Sequence, residues 1–279
     1  MDLTCVVYRM KNWVNRYTLA ITTINRFTTL ILLHLFITTI CSCKEDEVQQ
    51  QKPVLEIKAV DGSMIADLLE NEIQFKNEDK EVEDLFNILK NNGVNTVRLR
   101  IWHSPGTNNS SLQQVSSTAK LLRSEGFKIW LCVHYSDTWA DPSHQIKPKA
   151  WDSLETTKLA LESAKYTFSV VQTIQPDIIQ IGNEINNGLL HPEGNLHNSP
   201  SDFLTILNGC LTSAKNAKAD VQTMLHIAGP RETLQMLDNI ALPEFDMLGI
   251  SYYPKWHGKS TAEVSAAIQA EVSGTAVRV

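Results

Sequence analysis

The sequence predicts an α/β fold: a (β/α)8 TIM barrel that is incomplete here, with about six of eight βα units present. Three observations carry this reading. Short apolar runs alternate strictly with amphipathic segments, as a parallel sheet covered by helices requires. Each apolar run ends in residues suited to chemistry: Asp61, Arg100 with Trp102, His134 with Asp137, Asn183-Glu184, His226, and Tyr252-Tyr253. Barrel enzymes build their sites from such strand ends. Finally, no Gly-x-Gly-x-x-Gly follows the first strand, which argues against an open dinucleotide-binding sheet.

Residues 1–42 read as an export signal of the lipoprotein type. Arg9, Lys11, Arg16 and Arg26 stand against a single acid, Asp2, ahead of an apolar run from Leu30 to Cys41. A run of ~12 residues is too short to span a bilayer as a helix but suits a signal core. Ile40-Cys41-Ser42-Cys43 resembles a lipobox, in which Cys43 is acylated and becomes the new N-terminus. The alternative is a plain secretory signal with incidental cysteines, and Met10 is a second candidate start. The expected location is therefore outside the cytoplasm, lipid-anchored at a bacterial cell surface or outer membrane, or else secreted. Contact with a membrane is expected only through that anchor. Residues 43–53 are polar and read as a tether, and 54–279 as the barrel.

Within the barrel, Val54–Asp61 is the first strand. Lys80–Asn92 is a helix with Val82, Leu85, Phe86 and Leu89 on one face, stopped by Gly93. Val94–Trp102 is a strand, Ser111–Glu125 a helix, and Phe127–His134 a strand. Ser153–Thr173 is a long helix, followed by the strand Ile178–Glu184. Asp202–Lys218 is a helix that turns Phe203, Ile206, Leu207, Cys210 and Leu211 inward. The strand Gln222–Ala228, the short helix Thr233–Ile240 and the strand Phe245–Tyr252 come next. Ser260–Val272 opens with a capping box, Ser260-x-x-Glu263, and reads as a helix.

Composition narrows the function. With 43% hydrophobic and 20% charged residues in 279, neither wholesale disorder nor a polytopic membrane protein fits. The net charge of −6 becomes −9 once the leader's four basic residues and one acid are removed. An acidic chain without basic clusters is a poor binder of nucleic acid. Cys132 and Cys210 sit in apolar runs and are expected to be buried, and no His/Cys spacing suggests zinc. Oligomeric state leaves no signature.

Two segments carry the strongest chemistry. In Ile181-Gly182-Asn183-Glu184, a carboxylate and an amide follow a buried strand directly. A Glu beside an apolar pocket can hold a proton near neutral pH and act as a general acid. The loop from His134 to Gln145 then mixes aromatic and hydrogen-bonding groups around Trp139, which suits sugar rings with one C–H face and a rim of hydroxyls.

Four motifs make the likeness specific. They are Gly93-Val94-Asn95-Thr96-Val97-Arg98-Leu99-Arg100-Ile101-Trp102; His134-Tyr135-Ser136-Asp137-x-Trp139-Ala140-Asp141-Pro142-x-x-Gln145; Gly182-Asn183-Glu184-Ile185-Asn186-x-Gly188-Leu189-Leu190-x-Pro192-x-Gly194; and Ser251-Tyr252-Tyr253-Pro254-x-Trp256-His257-Gly258. Together they resemble glycoside hydrolase family 53, the arabinogalactan endo-β-1,4-galactanases. The resemblance implies a retaining endo-glycosidase acting on β-1,4-galactan, the side chains of pectin. It implies Glu184 as acid/base and Asn183 on the hydroxyl beside the reacting carbon. Arg98 and Arg100 share one strand face, and at least one would orient the second carboxylate. His134, Asp137, Trp139, His226, Tyr252 and Trp256 would line the sugar subsites.

One departure stands against this pattern. The family's nucleophile is a Glu ending the seventh strand, and no matching motif is read here. At roughly 30 residues per βα unit, that strand end falls near or beyond residue 280. Glu263 and Glu271 lie in the expected last helix and are poor candidates. The expectation is therefore a chain truncated at its C-terminus and lacking the nucleophile. Its alternative fate is an inactive remnant or weak sugar binder. A different retaining endoglycosidase, acting on xylan or mannan, is a further alternative that the His134–Gln145 loop disfavours. Some family members bind calcium, in a region expected beyond this chain, so no cofactor and no metal site are expected here.

Overall fold

A computed structural model describes residues 4–9 and 57–257. The expected acylation site at Cys43, the tether, the Ser260–Val272 helix, Glu263 and Glu271 lie outside the described residues. The elements are β1 (Thr4–Arg9), β2 (Ala59–Asp61), α1 (Ile65–Glu70), β3 (Phe75–Lys76), β4 (Val82–Glu83), α2 (Leu85–Asn91), β5 (Thr96–Ile101) and α3 (Leu112–Ser124). They continue with β6 (Lys128–Val133), α4 (Thr156–Ile174), β7 (Ile178–Ile181), α5 (Pro200–Ala217), β8 (Gln222–Ala228), α6 (Pro230–Asn239), β9 (Met247–Tyr252) and α7 (Pro254–His257).

Six strands, in the order β2-β5-β6-β7-β8-β9, pair in parallel and in chain order. This is the sheet of a (β/α)8 barrel with six of its strands present among the described residues. β1 adds to β9 antiparallel, from Thr4 opposite Tyr252 to Arg9 opposite Met247. That strand falls in the segment read as a leader and is not foreseen by it. Its run Thr4-Cys5-Val6-Val7-Tyr8 is rich in residues that favour extended backbone.

Strand periodicity sorts the side chains into two cores. Val97, Leu99 and Ile101, Ile129, Leu131 and Val133, Ile179 and Ile181, and Leu225 and Ile227 join one large cluster with the inner faces of the helices. The alternate residues Trp130, Ile178, Met224 and Met247 form a second cluster with Ile57 and Ala59. Members of this second core come from β2, β6, β7, β8 and β9, so the side chains of separated strands meet on one face. A sheet curling into a barrel brings them together. Among the described residues, no helix is long and apolar enough to cross a membrane.

Most element boundaries fall within three residues of expectation, and three differences have physical causes. The helix expected from Lys80 starts at Leu85, because Asp84 caps it by accepting from Asn87 N at 3.0 Å. The residues before it, Val82-Glu83, pair instead with Phe75-Lys76 in a hairpin, so Val82 is 59% exposed rather than inward. α5 and α6 start early, at Pro200 and Pro230, where proline's fixed φ suits the first helical turn. Helix α1 and the hairpin were not read from the sequence. Cys132 and Cys210 are both buried, as expected.

The α4–α5 layer should carry much of the stability. Phe203 is fully buried there, so Phe203→Ala is expected to cost about 3–5 kcal/mol. Urea denaturation should show a lower midpoint with an unchanged slope.

Candidate active site

The inward side chains at the carboxyl ends of the strands converge. The register sets Arg98 beside Trp130, Arg100 beside Cys132, Cys132 beside Gln180, and His226 beside Gly249. Gly249 makes room for the imidazole, since a Cβ there would meet His226 Cδ2 at 2.9 Å.

Arg98 and Arg100 do point the same way and do different things. The Arg98 guanidinium donates to Asp61 Oδ2 at 2.5 Å, Asn183 Oδ1 at 2.8 Å and Gln180 Oε1 at 3.2 Å, and lies 5.5 Å from the Trp130 ring. Burial opposes ionisation of Asp61, but Arg98 and two hydrogen bonds from Ser63 outweigh it and hold the carboxyl below its ordinary value. Arg100 donates to Ser110 Oγ at 3.3 Å, with Trp102 and Trp139 5.1 and 5.0 Å away on its guanidinium. Two indoles flank it, and the Asp61 carboxylate acts on it through space.

The turn after β7 presents the amide and the carboxylate. Gly182 has φ 75°, and a Cβ there would strike Ile185 Cγ2 at 2.4 Å, so only glycine fits. Glu184 itself adopts φ 51°. Such a backbone persists only where its surroundings hold it. Glu184 N donates to His226 Nδ1 at 3.2 Å and Ile185 N to His226 O at 2.9 Å. From the other side, Gln145 Nε2 donates to the carbonyls of Asp141, Asn183 and Glu184 at 2.9, 2.9 and 3.3 Å. The Glu184 carboxylate is mostly buried and accepts from Tyr253 OH at 2.9 Å. Burial and that carboxylate push the Tyr253 phenol up, so it stays a donor.

Both histidines are neutral. His226 is pushed down to about 3 by burial and by Arg98, with Nδ1 accepting from Glu184 and Nε2 3.2 Å from Ser251 Oγ. His134 is held well below its ordinary value by burial first, then by Arg98, Arg100 and His226. Its Nδ1 accepts from Ala140 N at 2.9 Å, which leaves the proton on Nε2. That buried Nε2 has no partner among the described residues.

Of the residues expected at the site, Arg98, Asn183, Glu184, His134 and His226 form one connected cluster, and Arg100 and Trp139 stack at its rim. Trp139 is 46% exposed and packs its edge against His134. Trp256 is 67% exposed and reaches the cluster through Tyr253, whose ring is 5.2 Å away. Asp137 accepts from Ser104 N and Lys149 N, both at 2.9 Å, and so braces two loops. Tyr252 is buried, and its neighbour Tyr253 donates to Glu184. Sequence reading placed Tyr253 at a strand end and Gln145 in the aromatic loop without giving either a role, and it missed Gln180. For Gln180 a signal existed: it is a polar residue at an inward position of a fully buried strand. Among the described residues, no group of three or more His, Cys, Asp or Glu could hold a metal ion.

A buried amide–carboxylate pair at the mouth of a parallel barrel, with arginines, neutral histidines and exposed tryptophans around it, is the layout of the barrel glycoside hydrolases. The chain belongs to glycosyl hydrolase family 53, whose model matches residues 57–274. It is 35% identical over 219 residues to an arabinogalactan endo-beta-1,4-galactanase of Cellvibrio japonicus, covering 72% of this chain and 57% of that protein. It is 34% identical over 223 residues to a probable arabinogalactan endo-beta-1,4-galactanase A of Aspergillus fumigatus, covering 72% and 62%. Among solved structures, the GH53 catalytic domain of Ignisphaera aggregans aligns with a TM-score of 0.73 at 31% identity, covering 81% of this chain and 67% of that one. The chain thus spans about three fifths of the length of the curated relatives it matches.

The depressed His226 makes acid unfavourable to the fold. The unfolded chain takes up this proton near pH 6.5 and the folded chain only near 3. Stability should therefore be lost as the pH falls through that window, by up to about 1.4 kcal/mol per unit. Urea midpoints at pH 7 and pH 5 measure the slope, and His226→Gln should reduce it, leaving the share that His134 contributes.

Proposed function

We propose that the protein's function is hydrolysis of β-1,4-galactan, the type I arabinogalactan of pectin side chains, by double displacement. Glu184 would protonate the departing glycosidic oxygen while a second carboxylate attacks C1, and Glu184 would then deprotonate the incoming water. The observation that carries this is the held Glu184: a buried carboxylate on a strained turn, with its backbone clamped by His226 and Gln145. The names of the family relatives support the choice of galactan. Asn183 would hold the hydroxyl beside the reacting carbon. Arg98, Arg100, His134, Asp137, His226 and Tyr252 would shape the sugar subsites, with Trp139 and Trp256 offering exposed ring faces.

The second carboxylate must stand ~5–5.5 Å from the first. Among the described residues, Asp61 is tied to Arg98 and Asp137 to two backbone amides. A second reading is that the protein binds galactan and turns it over poorly, because both of these carboxylates are already engaged. Loss of a catalytic group that acts as part of a unit costs on the order of 10⁴–10⁶ in rate in enzymes where it has been measured. Incubated with pure galactan, the 279-residue chain is expected to release no galacto-oligosaccharide above background while retaining affinity for the polymer. Release that Glu184→Gln abolishes would overturn this second reading and support hydrolysis with Glu184 as acid/base.

We further propose export with acylation at Cys43, from the Ile40–Cys43 lipobox and the basic, apolar leader before it. A lipoprotein-exporting bacterium fed labelled palmitate should label the wild-type chain and not Cys43→Ser. Absence of label from both chains would leave plain secretion as the better account, and equal labelling would place the lipid on another residue.

A further inference from the structure

Gln180 lies wholly buried in β7, and both ends of its amide are engaged. Its Oε1 accepts from Arg98 Nε at 3.2 Å and from Trp130 Nε1 at 3.1 Å. Guanidinium and indole N–H groups donate and never accept, so they determine which end of this amide is the oxygen. The nitrogen end then faces the other way. There it donates to Gly182 O at 2.8 Å and to Asn183 Oδ1 at 3.2 Å.

The Asn183 amide shares that polarity, and three partners set it. Its oxygen receives Gln180 and Arg98, and its nitrogen donates to Ala140 O at 2.8 Å. The second Nδ2 proton has no acceptor among the described residues. Turned over, the same amide would offer a ligand an oxygen instead of that N–H. We infer that Gln180 is a positioning residue: with Arg98 and the Ala140 carbonyl it holds the Asn183 amide so that the free proton is a donor, and thereby selects a ligand group that can accept, such as a sugar hydroxyl oxygen. The nature of the ligand rests on the galactan reading; the orientation of the amide does not.

Gln180→Glu separates the two halves of the argument. It keeps an oxygen for Arg98 and Trp130 and sets a second oxygen against Asn183 Oδ1 and Gly182 O. Calorimetric titration with β-1,4-galactotetraose should compare the wild-type chain, Gln180→Glu, Asn183→Ala and the double variant. Gln180→Glu is expected to weaken binding about tenfold, and the double variant to bind no worse than Asn183→Ala alone. Additive losses would overturn the inference, since Gln180 would then act independently of Asn183. If the wild-type chain binds no galactotetraose, the galactan reading fails and the orientation is read directly. With ¹⁵N-asparagine labelling, the side-chain pair absent from Asn183→Ala identifies Asn183. That pair should move in Gln180→Glu; an unmoved pair overturns the inference. Should Gln180→Glu not fold, Gln180→Met removes the donor at similar volume, and the same resonance shift is expected.

Discussion

A cation placed inside the barrel sets the terms for everything around it. The Arg98 guanidinium is 12% exposed, and a charge so placed costs several kcal/mol unless it is paired and hydrogen-bonded. Its partners come from separate strands: Asp61 ends β2, Cys132 lies in β6 with its sulfur 3.0 Å away, and Gln180 and Asn183 belong to β7 and its turn. Satisfying this one group therefore fixes how three strands meet at the mouth of the sheet. The indole of Trp130 closes the remaining face.

The same charge decides what the neighbours can be. Two imidazoles buried beside it cannot take up a proton near neutral pH, and each becomes a fixed, one-directional hydrogen-bonding group. His226 spends its lone pair on the Glu184 amide, which steadies the left-handed backbone at that residue. Glu184 is thus held mainly through its backbone, leaving its carboxylate with the Tyr253 phenol and the open cleft. Rigidity in the support and availability at the tip suit a group that must give and take a proton.

The sequence was most informative where periodicity and burial agree. Gln222–Ala228 spans the same residues in expectation and in the structure, because an apolar run bounded by polar turns admits few alternatives. The pairing of Arg98 with Arg100 on one face followed from period two alone. The sequence was less informative where one residue decides the outcome. Tyr252 and Tyr253 are chemically identical, and periodicity alone does not reveal that Tyr253 donates to Glu184. Asp137 sits in a loop whose path no periodicity encodes, so its part in bracing two backbones could not be read. The β3–β4 hairpin rests on two-residue strands, too short for a pattern.

The bracket formed by Gln145 has a consequence for how this architecture can vary. One side-chain nitrogen spans three carbonyls, one in its own loop and two in the turn that carries the acid. His134 is bound to Ala140 N at the other end of that loop. The stretch from His134 to Gln145 is therefore a segment of fixed span, closed on itself by His134 and tied to the β7 turn through Ala140 O and Gln145. An inserted or deleted residue there would release the bracket and the catalytic turn together. Length changes compatible with this scaffold belong elsewhere, such as the exposed Ser104–Asn108 loop, which leaves evolution free to reshape the rim while the spacing beneath it stays constant.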